Sequence, residues 1–268
     1  MRAPEPLPDD LAAALDVPGH TIRYFADVGS TNDVALAMAS AGAPARTVVV
    51  ADHQTAGRGR RGRQWFSPPG AGLYVSIVWR PAGPPALLPL VTLSAGVAAA
   101  KAITATTALP VELKWPNDLV VGRPWKKLGG LLCETAAVGA QIDAVVVGIG
   151  VNVRRVAYPR DIAERATSIE LELSRTIDRG ALLTAILTQA AEAHAALVMG
   201  DAPAIVAEWR RFGRAGLGGA LVRWADAEGD HRGRARDIDE AGALVVDGGA
   251  GVERLVAGEV IWEQLAGD

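Results

Sequence analysis

Between Gly57 and Arg63 the chain places four arginines and three glycines in seven consecutive residues, and Gln64, Trp65 and Phe66 follow at once. Arginine grips phosphate and carboxylate oxygens through paired, charge-assisted hydrogen bonds. Glycine lets a backbone approach a ligand closely and adopt conformations closed to other residues. The segment therefore reads as a flexible cationic loop that closes over an anion. It is neither a Gly-Lys-Ser/Thr phosphate loop nor a dinucleotide fingerprint. A merely solvated basic loop is the plain alternative. The interleaved glycines, the aromatic pair and the apolar strand just upstream argue against it.

Three further segments have residue types suited to chemistry. Lys114-Trp115-Pro116-Asn117-Asp118 ends an apolar strand at a proline and presents an amide and a carboxylate in succession. Asp118 suits Mg2+ with phosphate oxygens completing the shell, and an Asx turn after proline accounts for the pair equally well. In Lys126-Lys127-Leu128-Gly129-Gly130-Leu131-Leu132 a lysine enters an apolar strand that holds two glycines. Glycine within a strand marks the close approach of a ligand or another backbone. Val147-Gly148-Ile149-Gly150-Val151-Asn152-Val153 runs a buried strand into Gly-x-Gly and then an asparagine that needs partners once buried.

The elements that must position these segments are legible in outline. A short apolar helix is expected near Leu11 to Leu15. Ser30 with Asp33 approximates a capping box ahead of a helix over Val34 to Ala41. Strands are expected at Thr47 to Ala51, Leu73 to Trp79, Val111 to Trp115, Leu128 to Thr135 and Ile142 to Gly148. Residues 86–108, Ala181 to Met199 and Ala204 to Phe212 read as helices. From about Leu217 short strands alternate with Gly/Asp/Glu turns: Ala220 to Trp224, Arg232 to Ile238, Ala243 to Val246 and Glu253 to Ile261. This predicts an α/β body over residues 1–216 joined through Gly213 to Gly219 to a small all-β barrel over 217–268.

Composition limits the function classes. Half of the 268 residues are apolar and the net charge is −3, so the arginine cluster is local and a broad nucleic-acid-binding face is disfavoured. One cysteine, Cys133, excludes an internal disulfide or a thiolate metal cluster, and the four histidines are not at metal-ligand spacing. The first residues carry acids and prolines rather than a secretory pattern, and no run reaches the about 20 apolar residues of a membrane span. A soluble, cytoplasmic protein is expected.

The order and spacing of these motifs are more specific than any one of them. Ser30-Thr31-Asn32, the Gln54-to-Trp65 segment, Lys-Trp-Pro-Asn-Asp, Lys-Leu-Gly-Gly-Leu-Leu and Gly-Ile-Gly-Val-Asn together resemble the biotin protein ligases, from Ser30 to about Ser168 and more weakly through to Trp262. The resemblance implies an α+β fold: a mixed-sheet catalytic domain with flanking helices, like the class II aminoacyl-tRNA synthetases, plus a C-terminal SH3-like barrel. It also implies a reaction in which biotin and MgATP give biotinyl-5′-adenylate, whose biotinyl group passes to a lysine of the biotin carboxyl carrier domain of an acyl-CoA carboxylase.

By that resemblance Ser30, Thr31, Asn32 and Gln54 would hold the ureido ring, and Gly57, Arg58, Gly59 and Arg60 would close over biotin and the adenylate. Arg58, Arg60, Arg63 and Lys127 would offset the repulsion between carboxylate and triphosphate. Trp65 would flank the adenine, while Lys114, Asn117 and Asp118 would manage the phosphates and Mg2+. Lys127, rather than Lys126, would meet the carboxylate and α-phosphate. Asn152 would meet the nucleotide, and Gly148 and Gly150 would let the sheet approach the biotin ring. Arg60, Lys127 and Asp118 are the expected catalytic set.

Repressing members of that family carry a winged helix-turn-helix ahead of Ser-Thr-Asn. Only 29 residues precede Ser30 here, so a ligase without DNA binding is expected, with no membrane association and with homodimer formation open. The rival readings are a lipoate ligase of related fold and a nucleic-acid-binding module using the arginine loop.

Overall fold

A computed structural model describes residues 3–81, 85–138, 141–226, 229–249, 251–256 and 260–264. After a 3-10 helix at Asp9–Asp16 the chain forms β1 (Thr21–Val28), α1 (Thr31–Ser40), β2 (Thr47–Gln54), β3 (Gly72–Trp79), α2 (Leu88–Thr107), β4 (Glu112–Lys114), β5 (Asp118–Val121), β6 (Lys126–Val138) and β7 (Gln141–Asn152). There follow α3 (Ile169–Leu173), α4 (Arg179–Val198), α5 (Ala202–Phe212), a 3-10 turn at Gly213–Gly216, and β8 to β12 at Leu221–Asp226, Gly229–Ile238, Leu244–Gly248, Gly251–Leu255 and Ile261–Gln264.

The first seven strands make one sheet in the order β1-β2-β3-β7-β6-β5-β4. Only β1 with β2 is parallel; the other neighbours are antiparallel. Strand alternation divides the sheet into two unlike faces. Leu73, Val75, Ile77, Val145, Val147 and Ile149 point to the main core under α2 and α4. On the opposite face Val78, Ala144 and Val146 pack with Ala35 and Ala39 of α1. A ten-residue helix covers only part of that face. Further along it the cross-strand partners become small or polar: Ser76 opposite Gly148, and Gly150 opposite Gly130. The uncovered end of the α1 face is where the loops converge.

Strands β8 to β12 form a second sheet in the order β11-β10-β9-β8-β12. Two tryptophans tie it to the first. Trp115 Nε1 donates to Gly242 O at 3.0 Å, and Trp262 Nε1 donates to Trp115 O at 3.1 Å. The C-terminal sheet thus grips the chain immediately before Pro116-Asn117-Asp118.

Several expectations need correction. The strand expected over Glu253 to Ile261 is two strands, β11 and β12, with residues 257–259 between them outside the described set. Strands β1 and β5 were not foreseen. β1 is an edge strand with a mixed, non-alternating burial pattern, and β5 has only four residues. The capping box does not form. Ser30 is the N-cap residue but makes no side-chain cap bond, and Asp33 turns to Arg58 instead. The apolar N-terminal helix is a 3-10 helix. Contrary to the expectation that no apolar run reaches spanning length, α2 and α4 do by length and composition. Both lie in a core setting, packed on each other and against the sheet.

Candidate functional site

The site is built on the uncovered sheet face from three sources: the N-terminus of α1, the loop after β2, and the turns around β5 and β6. At its base lies a closed polar network. Gln54 Oε1 accepts from Thr31 N at 2.9 Å and from Thr31 Oγ1 at 3.1 Å, while Gln54 Nε2 donates to Ser67 Oγ at 2.9 Å. Ser76 Oγ lies 2.8 Å from Thr31 Oγ1 and 2.6 Å from Asn32 Oδ1. Asn32 Nδ2 donates to Leu132 O and to Glu134 Oε2. Thr31, Asn32, Ser67 and Ser76 are all buried, so these bonds satisfy groups that would otherwise be costly to desolvate.

The glycines make room for protein side chains. A β-carbon on Gly148 would lie 2.3 Å from Asn32 Oδ1, and one on Gly150 would lie 2.7 Å from the Trp65 indole. The floor opened by these glycines is therefore walled by Asn32 and Trp65. Gly57 has the same logic, since a β-carbon there would meet Ser67 Oγ and Trp65 O at 2.6 Å.

The arginine segment is a small hairpin. Trp65 N donates to Gly57 O at 2.8 Å, Arg58 bridges to Gln64, and Gly59 N donates to Arg63 O at 2.7 Å. Its tip is a 3-10 turn at Arg60–Gly62 in which Arg61 and Gly62 have φ of 58° and 72°. Glycine tolerates that conformation at little cost, while arginine adopts it with strain. The hairpin sends its arginines in different directions. Arg60 is half-buried and reaches Asn117 Oδ1 at 3.5 Å. Burial, with Arg61 adding, lowers its pKa, while Asp118 opposes the shift. Arg63 is exposed. Arg58 turns away from the site: Nη2 lies 2.5 Å from Asp33 Oδ1 and 2.8 Å from Glu134 Oε2. Two carboxylates thus share its charge. As partly exposed pairs these contacts contribute only about 0.2–1 kcal/mol to stability.

Opposite the hairpin tip sits a charged cluster. Asp118 Oδ1 accepts from Lys127 Nζ at 2.5 Å and Asp118 Oδ2 from Lys114 Nζ at 3.0 Å. Lys127 Nζ is also 5.4 Å from the centre of the Trp65 ring. Lys127 faces this way because of a bulge. Val120 pairs with Lys127 but Leu119 pairs with Gly129, leaving Leu128 without a partner. The extra residue puts Lys127 and Gly130 on one face and the fully buried Leu128 on the other. Asn117 is fixed by Nδ2 donating to Leu131 O at 2.7 Å.

Burial alone would raise the Asp118 carboxyl, but Lys127 and Lys114 outweigh it and hold its pKa below the ordinary 3.8. A depressed carboxyl contributes stability that is complete above its unfolded pKa and is lost as pH falls through the folded value. Asp118→Asn should therefore be less stable than the parent at neutral pH, with the gap closing below about pH 3.8 in denaturant titrations. A gap independent of pH would show that the lysines do not set this group.

Among the described residues no group of three or more His, Cys, Asp or Glu side chains is placed to hold a metal. With both Asp118 oxygens already engaged by lysines, these residues do not make a magnesium site of their own. Asn152 is a tie: its Nδ2 donates to Thr167 O at 2.9 Å, fastening β7 to the following loop. Sequence reasoning missed Ser67, Ser76 and Glu134. Ser76 alone had a signal, as the one small polar residue in the otherwise apolar and aromatic run Leu73 to Trp79.

Comparison with known proteins bears on the chemistry. Residues 24–152 match the model of the biotin/lipoate A/B protein ligase family, and residues 222–262 match the biotin protein ligase C-terminal domain. The biotin–[acetyl-CoA-carboxylase] ligase of Mycobacterium tuberculosis is 35% identical over 247 residues, covering 90% of this chain and 88% of that protein. The bifunctional ligase/repressor BirA of Bacillus spizizenii is 32% identical over 248 residues, covering 91% and 75% respectively. Among solved structures, the Aquifex aeolicus biotin protein ligase in complex with biotin and ATP superposes with a TM-score of 0.76 at 27% identity, over 91% of this chain and 99% of that one.

Proposed function

The chain belongs to the biotin protein ligase family, and from that premise we propose how its residues join biotin to ATP and then to a protein lysine. The biotin carboxylate oxygen attacks the α-phosphorus of ATP and the bond to pyrophosphate breaks, giving biotinyl-5′-adenylate. The amine of an acceptor lysine then attacks the carbonyl carbon, AMP departs, and the nitrogen loses a proton. Both steps need alignment and compensation of negative charge more than a protein nucleophile.

The observation that carries this reading is the convergence of Arg60, Lys114, Lys127 and Asn117 around Asp118, beside the Trp65 wall. In our reading Asp118 holds the two lysines apart until phosphate and carboxylate oxygens displace it. Lys127 then bridges biotin carboxylate and α-phosphate, with Lys114, Arg60 and Arg63 on the remaining phosphate oxygens and Asn117 fixing Arg60. Thr31 through a remaining Oγ1 lone pair and Gln54 through its second Nε2 hydrogen, with Ser30 beside them, face the ureido ring, and the Gly57–Gly59 backbone closes over it. Trp65 flanks the adenine. Magnesium would arrive on the triphosphate, as expected for a hard cation that keeps phosphate ligands, and no step here is routed through it.

The match to the C-terminal biotin ligase model favours biotin over lipoate. The five-stranded second sheet supports an SH3-like module after Gly216, and the seven-stranded mixed sheet supports a body like the class II aminoacyl-tRNA synthetases. The acceptor we infer is a carboxylase biotin carrier domain, in the cytoplasm. The described residues ahead of α1 hold a 3-10 helix and one strand.

The test is incubation with ATP, a carrier domain and either biotin or lipoate, read by intact mass. Biotin addition at a single lysine is expected, and exclusive lipoate addition would overturn the assignment. Arg60→Ala should speed release of the adenylate by about 10- to 150-fold, the equivalent of one charge-assisted contact of about 1.5–3 kcal/mol. The readout is biotinylation of bystander proteins; a variant as tight as the parent would remove Arg60 from the lid.

A further inference from the structure

We propose that Glu134 is a positioning residue for the lid: it clasps Arg58 to α1 and so sets the closed state of the arginine hairpin over the site. The inference rests on the ligase reading above. One carboxylate oxygen, Glu134 Oε2, accepts from Asn32 Nδ2 at 2.8 Å and pairs with Arg58 Nη2 at 2.8 Å. The same Arg58 nitrogen also contacts Asp33. Glu134 lies on β6 opposite Val146, on the face that α1 covers, and is itself mostly shielded, at 24% exposed. The clasp therefore joins three segments far apart in sequence: the first turn of α1, the stem of the hairpin, and the strand that begins with Lys126 and Lys127.

Its placement at the stem gives it leverage. Arg58 is bridged to Gln64 across the hairpin, and Gly57 O holds Trp65 N. Fixing Arg58 fixes the stem, and the stem aims both Arg60 at the tip and the Trp65 indole on Gly150. Glu134 touches none of the charged groups around Asp118, so it acts through Arg58 and not on the reacting atoms. Nor is it available as an anion ligand, being an anion itself. Asn32 reinforces the clasp from below, because its Oδ1 is held by Ser76 and its Nδ2 has no freedom to leave Glu134.

A double-mutant cycle on the full-length ligase tests this. Parent, Glu134→Ala, Arg58→Ala and the double variant are compared for thermal melting, biotin KM, adenylate release and single-turnover transfer from preformed adenylate to a carrier domain. Glu134→Ala and Arg58→Ala should each raise biotin KM and adenylate release about tenfold and leave transfer within about twofold. The double variant should be no worse than either single one. Glu134→Gln, which keeps the acceptor for Asn32 and Arg58, should recover most of the loss and stands in if Glu134→Ala does not fold. Additive effects, or a loss confined to the transfer step, would overturn the clasp. Absence of biotin activation in the parent would instead defeat the ligase reading, leaving the two failures distinct.

Discussion

Lys127→Ala should slow biotin adenylation by about 10²–10³-fold, the loss typical when a preorganised donor to developing charge is removed. Lys126→Ala should stay within about twofold, as a substitution away from the working groups does. The contrast between adjacent lysines follows from the bulge at Leu128. Lys127 shares a face with Gly130 and reaches Asp118 at 2.5 Å and the Trp65 ring at 5.4 Å. Alternation along β6 sends Lys126 the other way. Lys127→Arg should recover little, because a planar fork does not replace a compact ammonium between two oxygens. Single-turnover formation of adenylate reads the difference. Equal losses at the two lysines, or the reverse order, would mean that the bulge does not select the working residue.

The second large effect concerns the glycine floor, and the two glycines should fail differently. In Gly148→Ala the new methyl would meet Asn32 Oδ1 at 2.3 Å, and Asn32 is held by Ser76, Leu132 and Glu134. Displacing it strains a buried, fully bonded network, so a destabilisation of about 1–3 kcal/mol is expected, together with a raised biotin KM. In Gly150→Ala the methyl would meet the Trp65 indole at 2.7 Å. Trp65 is carried by a hairpin that can lift, so melting should change little while nucleotide and adenylate binding suffer. Calorimetric melts and substrate KM values separate the cases. If Gly150→Ala melts as low as Gly148→Ala and binds substrates normally, Trp65 is a packing residue and not a wall of the site.

How far the site was legible in the sequence depends on what held each residue in place. The motifs that hold Thr31, Gln54, Asn117, Asp118 and Lys127 are local runs with distinctive spacing, and the fold pairs Thr31 with Gln54, Asp118 with Lys127, and Asn117 with Arg60. The direction of a charged side chain is another matter. Arg58 and Arg60 are two residues apart in the same loop, yet one closes on Asp33 and Glu134 and the other on Asn117. That divergence depends on carboxylates remote in sequence, which no spacing rule contains.

The fold divides along similar lines. Long apolar periodic segments such as α2 and α4 were readable because their own pattern demands burial. β1 and β5 were not: β1 is an edge strand with a mixed burial pattern, and β5 is too short to show alternation. The capping box at Ser30 failed for a tertiary reason, because Asp33 is drawn to Arg58. Local propensity yields to such contacts whenever a charged partner is held nearby.

The central claim is that this face joins a carboxylate to an α-phosphate. ATP–pyrophosphate exchange measures that step directly, without an acceptor protein. With labelled pyrophosphate and ATP present, label should enter ATP only when biotin is added, and Lys127→Ala should suppress the exchange. Exchange that proceeds without biotin, or that responds to lipoate and not to biotin, would contradict the account.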